Sequence, residues 1–320
     1  MADRKGIAVV GTLLVDNIYE ISAYPSEGEL TQIRTVKRAC GGLVPNNGIG
    51  LKKIAPHMPV FGVGKVGNDD SGKYALEQMS AAGMDVSAVK ISENEASSFT
   101  AVMSVLGGQR TFFTYPGSCA TFGYDDIDWD RLPCKMLHLG YFLLLEKVDG
   151  GDGLKILKEA KNRGMITSID LVSENSDRYS LVIPCLPYVD NLIINETEAG
   201  KLCNVEPSVE NLPLIAEKLL EMGVRERVII HMPSQGLCRT RDSLTVLPSV
   251  ALPKGYVVGK TGAGDAFCSG ALIAIERNAS SEEILELAEA AAVASLRAAD
   301  AVSGIEEEAK ILENIRKFSR

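Results

Sequence analysis

Residues that bind soft metals or form disulfides are scarce: three histidines and seven cysteines occur in 320 residues, and no two cysteines form a Cys-x-x-Cys pair. The cysteines, at positions 40, 119, 134, 185, 203, 238 and 268, are scattered and odd in number, which speaks against a disulfide framework and for reduced thiols. Basic residues are outnumbered, 33 against 42 acidic, for a net charge of −9. That balance argues against nucleic acid or an anionic membrane as the main partner, and leaves room for a local basic site for a nucleotide. No stretch approaches the length of a membrane span. The N-terminal Met-Ala-Asp-Arg-Lys-Gly runs into Ile-Ala-Val-Val without the apolar run and cleavage signal of a secreted protein, so a cytoplasmic location is expected. No internal repeat or low-complexity segment is visible. What is left, 46% hydrophobic and 23% charged, is ordinary for a globular chain long enough for a large core with an appendage.

The segment richest in chemistry is Gly-Lys-Thr-Gly-Ala-Gly-Asp-Ala-Phe, residues 259–267. Gly262 and Gly264 lack a Cβ, so the backbone can approach a ligand and aim successive N–H groups into one concavity. Ala266–Glu276 reads as a helix, whose free N–H groups and positive dipole end would face an anion in the loop. Asp265, at that helix start, is placed either to cap the helix or to take a proton from a substrate hydroxyl beside the anion hole. A dinucleotide-binding fold would carry such a loop after its first strand, whereas this one lies near the C-terminus. A Walker A loop is excluded by the spacing of the glycines. Cys268, one turn beyond Asp265, reads as a small buried hydrophobe rather than a nucleophile.

Elsewhere short β-rich apolar runs alternate with amphipathic helical stretches, the pattern of an α/β fold whose mostly parallel sheet is covered on both faces. Strands are expected at Ile7–Val10, Val60–Val63, Met136–Leu139, Met165–Ile169, Asn191–Ile194 and Val228–His231. Helices are expected at Tyr74–Ala82, Gly153–Arg163, Leu212–Met222 and Ile284–Ala298. Right-handed crossovers then gather the loops that follow the strands along one edge, where ligands of such folds bind. Two stretches break the pattern. Thr12–Ala39 alternates like exposed antiparallel strands, and so does Phe99–Tyr115 around the turn Gly107-Gly108. These insertions, 12–40 and 97–116, read as one small sheet forming a lid, or as two unrelated edge hairpins. Apolar Leu13, Val15 and Ile18 suggest two lids pairing in a homodimer.

The 259–267 segment resembles the C-terminal signature of the ribokinase-like, or PfkB, carbohydrate kinases, Asp-Thr-x-Gly-Ala-Gly-Asp, with Gly262, Ala263, Gly264 and Asp265 matching its tail. The resemblance extends along nearly the whole chain. Gly11 and Asp16 match Gly-x-x-x-x-Asp; Gly41, Gly42 and Asn46 match Gly-Gly-x-x-x-Asn; Gly64, Gly67, Asp69 and Gly72 match Gly-x-Val-Gly-x-Asp-x-x-Gly; Asn195 and Glu198 match Asn-x-x-Glu. It implies one kinase domain over residues 1–320, a three-layer α/β/α core with a β-sheet lid. It also implies ATP-dependent phosphorylation of a hydroxyl of a sugar or sugar derivative. Asp265 would be the base, and the amides of Gly262, Ala263, Gly264 and Asp265 the anion hole. Asp16, Gly41, Gly42, Asn46 and Arg110 would serve the sugar. Asn195, His231, Gly236, Thr261, Gly262 and Gly264 would serve the nucleotide. Glu198 and Asn195 would organise Mg²⁺ through water.

Each assignment has a plainer alternative. Asp and Asn make a reasonable polyol clamp, since one accepts from two hydroxyls and the other donates and accepts. Asp16 is equally readable as a turn residue and Asn46 as the N-cap of a helix Asn47–Ile54. Asn195 and Glu198 suit a hard cation that keeps its waters, but also have capping-box spacing. Arg110 is readable as a solvated edge arginine. The chain departs from the family at His231-Met232-Pro233, where Thr-x-Gly is usual; Gly236 alone matches the loop that follows, and proline there is expected to alter the nucleotide pocket. Gly259 and Lys260 stand for Asp and Thr, and Asp300-Ala301 for the Gly-Ala of a cation loop, which puts a monovalent-cation site in doubt. Two other functions stay open. A nucleoside kinase of the same fold lacks a clear base platform here, with nine Tyr, eight Phe and one Trp in the chain and Trp129 outside the lid. A non-catalytic sugar-binding relative would fit Pro233 and Gly259 but leaves Asp265 without a purpose.

Overall fold

A parallel strand covered on both faces must be apolar throughout, and Ile7–Val10 is: Ile7 and Val9 enter one core, Ala8 and Val10 the other. In the computed structural model, which describes residues 4–105 and 110–320, this strand lies near one edge of an eight-stranded sheet. Six strands run parallel in the order Val60–Val63, Ile7–Val10, Met136–Phe142, Ile166–Leu171, Asn191–Asn195, Arg227–Met232. Gln235–Arg239 and Leu244–Pro248 then extend the far edge antiparallel. These last two escape the sequence reading because the first is short, carries Gly236 and follows the turn at Pro233, and the second alternates on an exposed edge.

Helices Leu43–Ile54, Asp70–Ala81, Ala263–Glu276, Ser281–Ser295 and Glu308–Ile315 cover one face of the sheet. Gly153–Asn162, Glu196–Cys203, Leu212–Glu221 and the 3₁₀ run Arg178–Tyr188 cover the other. The result is three layers, α/β/α, as expected. Asp69 of the Gly-x-Val-Gly-x-Asp-x-x-Gly motif is structural: its carboxylate caps Asp70–Ala81 through Gly72 N (2.8 Å) and accepts from Ser97 N (2.8 Å) and Ser97 Oγ (2.6 Å). A Cβ on Gly72 would lie 2.2 Å from the carbonyl oxygen of Gly67, so the motif encodes a close crossing of backbones.

The two atypical segments meet in one four-stranded sheet, ordered Ile33–Gly41, Leu14–Ile21, Ser98–Val105, Arg110–Tyr115. The central pair is parallel and the outer pairs antiparallel. The turn Gly107-Gly108 lies outside the described residues. Leu13 and Val15 do not face outward as the dimer expectation required; both are buried in the main core, because the strand runs along the core before leaving it. The exposed large hydrophobic side chains among the described residues of the small sheet are instead Ile33, Val36, Phe99, Phe112, Phe113 and Tyr115. Its outer strand is tied down where Arg38 lies over the ring of Tyr74, whose hydroxyl donates to Arg38 O (3.0 Å).

Candidate active site

Gly262 has φ of 77°, and a Cβ there would lie 2.2 Å from that of Ala301, so only glycine fits between this loop and the 298–301 turn. The helix therefore starts at Ala263, earlier than expected, and Asp265 lies inside its first turn rather than capping it. The N–H groups of Gly264 and Asp265 have no backbone partner among the described residues and are free to bind an anion.

Asp265 is buried, and two donors hold its carboxylate. Tyr141 Oη lies 2.9 and 3.0 Å from its two oxygens, and Asn46 Nδ2 donates to Oδ2 at 2.9 Å. Asn46 reaches it from inside the helix Leu43–Ile54; the cap of that helix is Gly42, so the alternative of Asn46 as N-cap is set aside. Burial pushes the Asp265 carboxyl up to about 6, the nearby Asp170 adds to this, and the Tyr141 and Asn46 bonds oppose it. Burial and the Asp265 charge together hold the Tyr141 phenol well above its usual range, so it remains a donor. Tyr141 sits in the left-handed region (φ 55°), its N–H bound to Asp170 Oδ1 at 2.6 Å. His138 Nε2 lies 3.4 Å from Asp170 Oδ2 and 3.5 Å from Cys268 Sγ, while its Nδ1 pairs with Ser168 Oγ. Cys268 is fully enclosed and its thiol is held well above the usual range, chiefly by burial, which suits a structural residue.

Asp265 forms part of a polar cavity of about 240 Å³, which Asp170, Asn195, Glu198, His231 and the 262–264 loop also border. Beside it is a more apolar cavity of about 440 Å³, walled by Pro233, Gly236, Leu247, Val257, Phe267 and Leu296 among others. Asn195, His231, Lys260, Ala263 and Gly264 border both. Pro233 occupies the tight turn between the strand ending at Met232 and the one starting at Gln235, where no ladder N–H is required, so the departure from the family pattern leaves a cavity in place. His231 stacks near Phe267 at 4.7 Å, and burial pushes it down to about 4, so it is neutral. Gly264 leaves open space, with nothing nearer to a notional Cβ than His231 at 3.7 Å. Thr261 is exposed and borders neither cavity.

Asn195 and Glu198 do form the capping box: Asn195 Oδ1 accepts from Glu198 N (2.9 Å) and Glu198 Oε2 from Asn195 N (3.0 Å). They also face the polar cavity. Burial pushes Glu198 up to about 7, against the bonds from Asn195 and Ser173.

Asp16 borders neither cavity. It sits on the small sheet opposite Thr100, with its carboxyl raised by burial and lowered by Thr100 and Arg110. A Cβ on Gly41 would fall 2.5 Å from Asp16 Oδ2, and one on Gly42 (φ 87°) 2.7 Å from Thr12 O. Gly41 and Gly42 thus let Asp16 lie against the start of the helix that delivers Asn46 to Asp265. Arg110 is exposed on the edge strand.

Residues 4–308 match the family described as pfkB family carbohydrate kinase. The chain belongs to this family. As a pfkB kinase it is a phosphotransferase acting on an alcohol group. It is 26% identical to Arabidopsis thaliana ribokinase over 99% of this chain and 83% of that protein. It is 22% identical to Saccharomyces cerevisiae adenosine kinase over 84% of this chain and 81% of that one. The structure of Arabidopsis thaliana ribokinase complexed with ribose and ATP shares its fold, with a TM-score of 0.83 at 24% identity and 98% and 99% coverage of the two chains.

For a pfkB kinase the oxygen donors of the polar cavity fit a hard divalent cation. Glu198 and Asp170 are like charges close enough to raise the Glu198 carboxyl, and a cation would offset that repulsion. Tyr141, Asp170 and Lys260 are the site residues that the sequence reading leaves without a role. Tyr141 and Asp170 come two residues and one residue after the expected strands ending at Leu139 and Ile169, at the sheet edge where ligands collect, and that position is the signal that points to them.

Proposed function

We propose that this kinase transfers the γ-phosphoryl group of ATP to a hydroxyl of a sugar or sugar derivative. The observation that carries the reading is the pairing of a polar, carboxylate-floored cavity with an adjoining apolar one through the free amides of Gly264 and Asp265. The apolar cavity has the size and lining for a base, and the polar one for a phosphate chain and an acceptor hydroxyl. Asp265 takes the proton of that hydroxyl, while Tyr141 and Asn46 fix the orientation of its carboxylate. The loop amides stabilise charge on the group in transfer. Glu198 and Asn195 would hold Mg²⁺, which would supply charge neutralisation for the phosphates. Asp16 binds sugar hydroxyls, and the small sheet acts as a lid that excludes water as a competing acceptor. The exposed Val36 and Phe113, on the face of that lid away from Asp16, meet a second copy in a homodimer.

On the face of the small sheet that carries Asp16, Thr100, Thr114 and Arg110 are polar and Phe112 is an exposed aromatic, while the stacked pair Phe99 and Tyr115 lies on the opposite face with Val15. The test is ATP consumption over a panel of sugars, sugar acids and nucleosides. Turnover with a sugar or sugar derivative supports the reading. Turnover with nucleosides alone would replace it with the nucleoside alternative, and ligand binding without turnover would replace it with the non-catalytic one.

A further inference from the structure

At Lys260 the chain departs from its family's loop and places a charge that neither the base nor the acceptor clamp uses. Lys260 is exposed and borders both cavities, so it stands where a chain of phosphates would pass from one to the other. Among the described residues bordering the two cavities it is the only one with a permanent positive charge; His231 also touches both but is neutral. Charges of the other sign are plentiful, with Asp170, Glu198 and Asp265 in the polar cavity and Glu196 and Glu289 in the apolar one. No carboxylate among the described residues pairs with Lys260, whereas Lys161 and Arg320, for example, are each paired with an acid.

We propose that Lys260 is a donor-binding residue whose ammonium group contacts the β- and γ-phosphates of the nucleotide. A polyphosphate entering this site would otherwise meet like charge from every ionised side chain that borders it. The four-carbon stem lets the ammonium follow the phosphates, whereas the amides of Gly264 and Asp265 are fixed donors at the γ end. The proposal rests on the kinase reading above, and the two are separable.

The experiment is calorimetric titration of the full chain with AMP, ADP and ATP in the presence of Mg²⁺, comparing wild type with Lys260→Met and Lys260→Arg. Wild type is titrated first, and binding of none of the three would overturn the kinase reading and this proposal together. With wild-type binding in hand, Lys260→Met is expected to lose at least tenfold in affinity for ATP, less for ADP, and under twofold for AMP, whose retained binding also shows that the variant is folded. Lys260→Arg is expected to recover most of the loss. Unchanged ATP affinity in Lys260→Met, or equal losses for AMP and ATP, would overturn the role of Lys260 and leave the kinase reading standing.

Discussion

Asp265→Asn should make the protein more stable at alkaline pH while removing its activity. The wild-type carboxyl titrates at about 6 in the folded chain against an ordinary 3.8, chiefly because it is buried. A raised acid binds its proton more tightly when folded, so its burial destabilises the protein only once it ionises. The penalty grows as pH rises from about 3.8 through about 6 and is fully present above. The difference corresponds to about 3 kcal/mol. The substituted amide is never charged; its oxygen at the Oδ2 position still accepts from Asn46, but its NH₂ group at the Oδ1 position cannot accept from the Tyr141 hydroxyl, so one hydrogen bond is lost, about 1 kcal/mol. The net gain is then about 2 kcal/mol at pH 8, falling below about 1 kcal/mol at pH 5 as the wild-type group takes up its proton. Loss of a general base lowers kcat by about 10²–10⁴-fold. Denaturant melts of both proteins at pH 5 and pH 8, with a coupled assay for ADP, measure all of this. A variant less stable than wild type at pH 8, or one active within tenfold, would refute the reasoning.

Glu198, raised to about 7, is protonated at lower pH and cannot then hold a cation, so the Mg²⁺ concentration for half-maximal rate should rise as pH falls from 8 to 6; a flat dependence would remove Glu198 from the metal site. Asp16→Ala should weaken acceptor binding by at least about tenfold, roughly the loss of one charged hydrogen-bonding partner, and ATP binding by under about twofold. Separate titrations of the two ligands measure this, and equal losses would make Asp16 structural. Initial rate should change by less than about twofold when K⁺ replaces a large organic cation at constant ionic strength. The loop has no room for a side chain at Gly259, where a Cβ would fall 2.6 Å from Ala298 O, and the Asp300 carboxylate is already bound by Val302 N and Ser303 N. Many-fold activation would contradict this.

The six parallel strands were legible because burial on both faces leaves uninterrupted apolar runs such as Ile7–Val10, and the elements after them follow from that frame. The antiparallel edge was not, since Leu244–Pro248 is half exposed and carries a weak alternation. In the site, the glycine loop announced itself by residues that only one backbone conformation explains. Asn46 was named, but its contact with Asp265, from a helix more than two hundred positions away in the chain, has no local signature. Tyr141 was hidden for a different reason: its role depends on a left-handed backbone that a tyrosine adopts only under tertiary constraint. Leu13 and Val15 misled because alternation shows which residues share a face, not which face meets the core.

The parallel pairing at the centre of the small sheet bears on how the molecule is assembled. Leu14 pairs with Ser98 and Ile21 with Val105, and no hairpin can make such a contact. The intervening chain, with its two helices and the Val60–Val63 strand, must first fold onto the core to bring the partners together, so the closure entropy of a long loop is met before this ladder gains anything. Asp16 faces Thr100 only once that ladder exists. The small sheet is therefore expected to form late in folding, and hydrogen exchange of the native protein should find its ladder amides less protected than those of the eight-stranded sheet.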